Sequence, residues 1–270
     1  MMRYILLFLC TLVLSGSFLQ GQEKVVIKGS DTLGAKVLPQ LKERYMQIGN
    51  EVDFEIAAEG SSQAFSALMG GTADIGMSSR PASDREKNAA ITKGKELVEH
   101  VAGWDMVVVV VNARNGVRNL SLEQLEGIFT GDIQDWSEVG GRAGRISVYT
   151  RNTASGTYKS FRELAMSSRD YGQATQKMAG NEQVATEVAG NPNGIGYVGL
   201  AFAAKKGLRK VRVDGNRPHP RFRDRYPLTR KLYFYTVGKP TGASARFLNW
   251  VDRSPAAQEV IRNVGFIPAK

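Results

Sequence analysis

The stretch Arg151-Asn152-Thr153-Ala154-Ser155-Gly156-Thr157 decides how the rest of the chain is read. Before it, Ile146-Ser147-Val148-Tyr149 is a short apolar run that predicts a strand. After it, Tyr158-Lys159-Ser160-Phe161-Arg162-Glu163-Leu164 predicts a helix. A polar, glycine-bearing turn between strand and helix exposes backbone N–H groups that lack partners and can point at an anion. Ser155 and Thr157 add hydroxyl donors, Gly156 lets a ligand approach the backbone, and Arg151 adds a two-pronged cation. The same residues also suit an ordinary helix N-cap, where Ser and Thr are common choices. Taken alone, the stretch leans slightly toward the cap.

Working outward, the same texture recurs. Val25-Val26-Ile27 predicts a strand, Lys28-Gly29-Ser30-Asp31-Thr32 a turn, and Leu33 to Tyr45 a helix with Leu33, Val37, Leu41 and Tyr45 four apart. Val52 to Ile56 alternates like a half-exposed strand. Glu59-Gly60-Ser61-Ser62 then leads into a helix carrying Ala64, Phe65, Leu68 and Met69 on one face, ended by Gly70-Gly71. Asp74-Ile75-Gly76-Met77 is a third short strand, followed by Ser78-Ser79-Arg80-Pro81. Alternation of this kind argues for an α/β fold with a mostly parallel sheet flanked by helices. In such sheets ligands sit beyond the carboxyl ends of the strands, where these turns lie. Three such turns converging with Arg151 to Thr157 favour the anion site over four unrelated caps.

The second half changes texture after five consecutive valines, Val107 to Val111, which predict a strand buried on both faces. A lobe boundary is expected near Val107 to Asn112, giving residues 24–108 and 232–270 as the first lobe and 109–231 as the second. Leu122 to Phe129 predicts a short helix, Phe161 to Lys177 a longer one, and Asn191-Pro192-Asn193-Gly194 a turn. Gly194-Ile195-Gly196-Tyr197-Val198-Gly199 matches a dinucleotide-binding pattern, but a turn precedes it and no helix opens within it, so it reads as a glycine-bearing strand. Leu232 to Val237 predicts the strand that returns to the first lobe. Two helices follow, from about Gly242 to Val251 and from Pro255 to Val264.

Met1-Met2-Arg3, the apolar run Tyr4 to Leu14 and then Ser15-Gly16-Ser17 read as a secretory signal occupying residues 1–21. The run is well short of the ~20 residues of a spanning helix. A soluble, exported, periplasmic protein is the expectation. Cys10 is the only cysteine and lies inside that run, so the mature chain offers no thiol nucleophile and no disulfide. The net charge of +10 resides in one place: Lys205 to Lys231 holds 11 basic and 2 acidic residues, while the remaining mature chain balances at 24 of each. Three readings of that segment stand: a solvated loop, an attractor of anions or acidic membrane, or a nucleic-acid surface using Phe222 and Tyr226. Export weighs against nucleic acid.

Catalytic constellations are thin. The two histidines, His100 and His219, are far apart and lack metal-ligand spacing, so no metal is implied. No nucleophile elbow or phosphate loop occurs, Ser155 has no sequence-adjacent base, and no cofactor pattern stands. Binding without turnover suits this inventory.

Lys28 to Leu33, Glu59 to Ser62, Thr72 to Arg80, Arg151 to Thr157 and Gly194 to Leu200, taken in order over essentially the whole mature chain, resemble the phosphate-binding proteins of phosphate ABC transporters. The resemblance implies a type II periplasmic-binding-protein-like fold: two α/β lobes joined by two crossover strands, clamping dehydrated phosphate and delivering it to an inner-membrane permease. It implies phosphate contacts at Thr32, Leu33 (through its backbone N–H), Ser61, Arg151, Ser155, Gly156 and Thr157. Ser30, Ser79 and Arg80 join the candidate set from the neighbouring turns. A monomer without nucleic acid is expected. Some members carry an aspartate where Ser79 stands; it accepts the proton of monohydrogen phosphate and repels sulfate. Here that task falls to Asp31 or Glu59, or it is absent, which keeps sulfate, molybdate and tungstate open as ligands. Asp31 reads more strongly as a helix cap for the Leu33 helix than as that acceptor, and Arg80 equally as a second clamp or as the partner of a surface acid. An exported phosphate-ester hydrolase and a surface-interaction protein are the readings from other classes.

Overall fold

The computed structural model describes residues 23–269. The expected signal peptide and Cys10 lie outside the described residues. In chain order the elements are β1 (Glu23–Gly29), α1 (Asp31–Gly34), α2 (Val37–Gln47), β2 (Val52–Ala57), α3 (Ser61–Gly70), β3 (Ile75–Ser78), α4 (Asp84–Thr92) and β4 (Leu97–Asn112). They continue with β5 (Asn119–Leu120), α5 (Leu122–Thr130), β6 (Ser147–Arg151), α6 (Gly156–Ala165), β7 (Gln176–Met178), α7 (Asn181–Gly190) and β8 (Gly194–Gly199). β9 (Leu208–Lys210), β10 (Arg212–Val213), β11 (Thr229–Val237), α8 (Gly242–Arg253) and α9 (Pro255–Val264) complete the chain.

The strands pair in the order β2-β1-β3-β11-β4-β8-β6-β7, with β9 also on β4. β1 pairs in parallel with β2 and β3, and β6 in parallel with β7 and β8. Two long strands join these parallel sets. β4 is 16 residues long: Leu97 to Met106 pairs antiparallel with β11, and Val107 to Val111 pairs antiparallel with β8. Five β-branched side chains in sequence tolerate such a doubly covered position, and all five valines are fully buried.

Two main hydrophobic cores flank this crossing. One gathers Val25, Ile27, Leu38, Leu41, Phe54, Phe247 and Ile261; the other gathers Val107 to Val111, Phe129, Phe161, Val184 and Tyr197. The molecule is therefore an α/β fold of two lobes whose sheets meet along β4, with β11 beside its first half.

Two expected helices differ. Leu33 to Tyr45 is interrupted at Ala35 and Lys36, which separates the short α1 from α2. Phe161 to Lys177 is not one helix, because α6 ends at Ala165 and Ser167 and Ser168 take φ of 48° and 62°. Met166 and Tyr171, beyond the end of α6, both turn inward into the second core. The basic segment is not simply a loop: it forms β9, β10 and the start of β11. Tyr226 is buried with its hydroxyl on the Val107 carbonyl, which removes it as a base-stacking surface.

Candidate functional site

Four helix starts meet between the lobes: α1 and α3 from the first, α6 and α7 from the second. At α6, Asn152 accepts the Ser155 amide through both its side chain and its carbonyl, which sets the turn. Ser155 is the N-cap, and its Oγ accepts the Tyr158 amide at 3.3 Å. The cap reading is thus correct, and it does not compete with the anion reading. Gly156 and Thr157 remain as first-turn amides that the helix itself cannot satisfy.

Glycine is required where the lobes touch. A Cβ on Gly156 would lie 2.3 Å from Ser61 Oγ and 2.5 Å from Ser79 Oγ. Gly60, at φ 123°, would place a Cβ 2.8 Å from the Ala154 carbonyl, which also accepts the Ser62 amide at 3.1 Å. Ser61 Oγ in turn accepts the Ser79 amide at 3.0 Å and lies 3.2 Å from Ser79 Oγ. Thr32 Oγ1 stands 3.0 Å from Thr157 Oγ1 across the lobes. Ser30 Oγ is buried without a protein partner, and Leu33 packs its side chain into the first core, leaving its backbone at the turn.

Arg151 ends β6 with its side chain 1% exposed. Nη2 donates to the Ala179 carbonyl at 2.7 Å, and Nη1 lies 3.1 Å from Asp31 Oδ2. That Nη1 contact is an ion pair without hydrogen-bond alignment, so Nε and Nη1 keep no hydrogen-bond partner. Burial lowers the Arg151 pKa and Asp31 opposes the shift, but arginine stays cationic. Asp31 Oδ2 also accepts the Asn181 amide at 2.9 Å and Asn181 Nδ2 at 2.7 Å. Asp31 is therefore not a cap: Ser30 holds that position, and Asp31 reaches across to the second lobe. Glu59, the other acid considered, is exposed.

Arg80 is paired rather than free. Its two terminal nitrogens each donate to a Glu86 oxygen at 2.7 Å, and Glu86 is also the capping-box acid of α4. Its link toward the cluster is a 3.4 Å contact with Ser62 Oγ, which Lys159 reaches at 3.2 Å from the other lobe. The histidines serve elsewhere: His100 bonds Thr236, and His219 accepts the Arg221 amide in a surface turn.

Three residues at this site escaped the sequence reading. Asp105 is fully buried on β4, Arg230 faces it from β11, and Asn181 opens α7. Asn181 Oδ1 accepts the Gly199 amide at 3.0 Å, which ties β8 to the cluster. The available signal for Asp105 was one acid inside the apolar run Trp104 to Val111. Burial pushes the Asp105 carboxyl up, against the lowering by Arg230. The cluster offers hydroxyls, first-turn amides and guanidinium N–H groups, while Asp31 and Asp105 are engaged by cations and amides. Such a donor-rich pocket matches a small anion with several acceptor oxygens.

Residues 19–254 match the family described as the PBP superfamily domain. The phosphate-binding protein PstS of Pseudomonas aeruginosa PAO1 is 30% identical over 264 residues, covering 89% of this chain and 81% of its own. PstS of Bacillus subtilis is 28% identical over 255 residues, covering 92% and 83%. Among solved structures, a protein assigned as the substrate-binding protein of a phosphate ABC transporter from Clostridium perfringens, with bound phosphate, superposes with a TM-score of 0.84 at 27% identity. It covers 92% of this chain and 100% of its own. An ABC-type phosphate transport receptor from Vibrio cholerae gives 0.74 at 27% identity, covering 90% and 99%.

Proposed function

The chain belongs to the PBP superfamily, among its phosphate-binding proteins, and from that premise we propose that it captures inorganic phosphate between its lobes and delivers it to an ABC-transporter permease. The carrying observation is the convergence of Thr32, Ser61, Arg151, Ser155, Gly156 and Thr157 at the meeting of four helix starts. A dianion stripped of water needs its oxygens matched by fixed donors, and helix-start amides do this without a large excess of buried charge. Residues 24–108 with 232–270 act as one lobe and 109–231 as the other; they separate to admit phosphate and close to exclude water. The protein works outside the cytoplasm, in the periplasm, as a monomer, without nucleic acid and without turnover. Among the described residues no helix is long and apolar enough to cross a membrane.

Ser79 keeps a second reading in view, capture of sulfate, molybdate or tungstate, because it supplies a hydroxyl where an acid would repel a fully ionised anion. Equilibrium dialysis of the mature protein with labelled phosphate, competed by each of those anions, separates the two. Saturable phosphate binding that the others displace only weakly is expected. Displacement by equimolar sulfate would contradict phosphate selectivity, and release of phosphate from an ester by the same sample would contradict a purely binding role.

A further inference from the structure

Arg230 belongs by sequence to the basic surface segment, yet its side chain is 5% exposed. The antiparallel register of β4 and β11 sets it directly opposite Asp105, so the two crossover strands each contribute one member of a buried ion pair. Nε and Nη2 of Arg230 donate to Asp105 Oδ2 at 3.2 and 2.8 Å. Asp105 Oδ1 accepts the Leu200 amide at 2.9 Å, which fixes the carboxylate from its other side. The guanidinium is held in one orientation.

That orientation aims it at the cluster. Nη2 lies 3.0 Å from Thr157 Oγ1 and 3.4 Å from Thr32 Oγ1. Asn181 Nδ2 adds a further donor 3.3 Å from Thr32 Oγ1. Guanidinium and amide N–H groups only donate, so each hydroxyl that accepts from them must send its own hydrogen elsewhere. With the two hydroxyls 3.0 Å apart, one hydrogen closes the contact between them and the other is left for a ligand. Arg230 Nη1 is also buried and has no protein partner, a costly state for a cation's donor.

We propose that Arg230 is the second cation of the anion site: by donating to Thr32 and Thr157, from opposite lobes, it leaves one hydroxyl hydrogen of that pair for phosphate and presents Nη1 to one of its oxygens. Asp105 is the positioning residue that holds it there. The charged groups around Arg230 are Asp105 on β4 and Arg151 on β6, and Asp31 of α1 is spent on Arg151. The inference rests on the phosphate reading of the site.

Calorimetric titration of phosphate into wild-type, R230Q and R230K proteins, with the thermal midpoint of each measured without phosphate, tests it. R230Q is expected to bind at least about 30-fold more weakly, the scale for removing one member of a buried charge pair. R230K, which keeps the charge but not the fork, is expected to recover part of that loss, a rescue that thermal stability alone does not account for. Wild-type protein that binds no phosphate overturns the phosphate reading and this inference with it. Wild-type binding with R230Q within about threefold of it overturns this inference alone. Should R230Q not fold, arginine side-chain NMR of the wild-type protein decides: Arg230 N–H signals that shift when phosphate is added support the role, and unmoved signals overturn it.

Discussion

Arg80 and Arg151 are buried to almost the same degree, 3% and 1% of the side chain exposed, and both stand where a strand passes into a serine-bearing turn. Their partners separate them. Arg80 meets both Glu86 oxygens in a fork, donates to the Pro81 carbonyl at 2.8 Å and lies over the Phe65 ring. Arg151 spends one nitrogen on a carbonyl, shares a misaligned ion pair with Asp31, and leaves Nε and Nη1 without hydrogen-bond partners. Burial alone therefore does not mark a binding residue. Arg80 keeps only Nε without a partner, with both terminal nitrogens committed to Glu86, and so holds structure together, while Arg151, with a terminal nitrogen in reserve, is poised for an anion.

The largest effect that sharpens this contrast is on Arg151. Arg151→Ala should weaken phosphate binding by about 2–5 kcal/mol, the range for truncating one side of a desolvated charge pair. Arg80→Ala should change affinity far less while lowering the thermal midpoint. Equal affinity losses from the two variants would break the comparison. Next comes Gly156→Ala, whose added methyl collides with Ser61 and Ser79 oxygens contributed by the other lobe. Affinity should drop by roughly 10- to 100-fold, about 1.4–2.8 kcal/mol, with each lobe still folded. Wild-type affinity in that variant would mean the lobes do not meet at this point.

A smaller effect isolates the structural role of Arg80. Burial raises the Glu86 carboxyl pKa, and hydrogen bonds from Arg80 and Ser83 outweigh it, so the net shift is downward. A depressed carboxylate contributes stability that is complete above its unfolded value of about 4.3 and is lost as pH falls through the lower folded value. Wild-type stability should decline in that acid window by about 1–3 kcal/mol more than that of E86Q, the scale for a hydrogen-bonded charge. Parallel pH curves would remove the pair from the stability account. The smallest equilibrium effect belongs to the outer cations. Arg118, Arg209, Lys210, Arg212, Arg217 and His219 line a cleft of about 510 Å³ away from the hydroxyl cluster. Neutralising Arg209, Arg212 and Arg217 should slow phosphate association severalfold at low salt and hardly at all at high salt. An on-rate unchanged at low salt would show that these charges do not steer the ligand.

Much of the architecture was legible because local pattern and tertiary demand agree. The valine run, the alternation of Val52 to Ile56 and the proline opening α9 each say locally what the fold requires. The serine and threonine turns were legible for the same reason, since helix starts carry their own chemistry. Arg230 and Asp105 were not. Their meeting spans 125 residues and depends on the register of two crossover strands, while Arg230 sits among surface cations that disguise it. Asn181 follows an ordinary Ala179-Gly180 turn, and its role appears only when α7 is placed against Asp31. The choice for Arg80 between clamp and structural partner could not be made from sequence, because Glu86 reads in α4 like any other acid in a first turn.

The most direct test is a crystal structure of the mature protein grown with phosphate. The account predicts one anion between the lobes, within hydrogen-bond distance of Ser61, Arg151, Ser155 and the Gly156 and Thr157 amides, with Arg80 still on Glu86. Phosphate seated only in the outer cleft lined by Arg209, Arg212 and Arg217, or bound by Arg80 while Arg151 keeps its present partners, would contradict it.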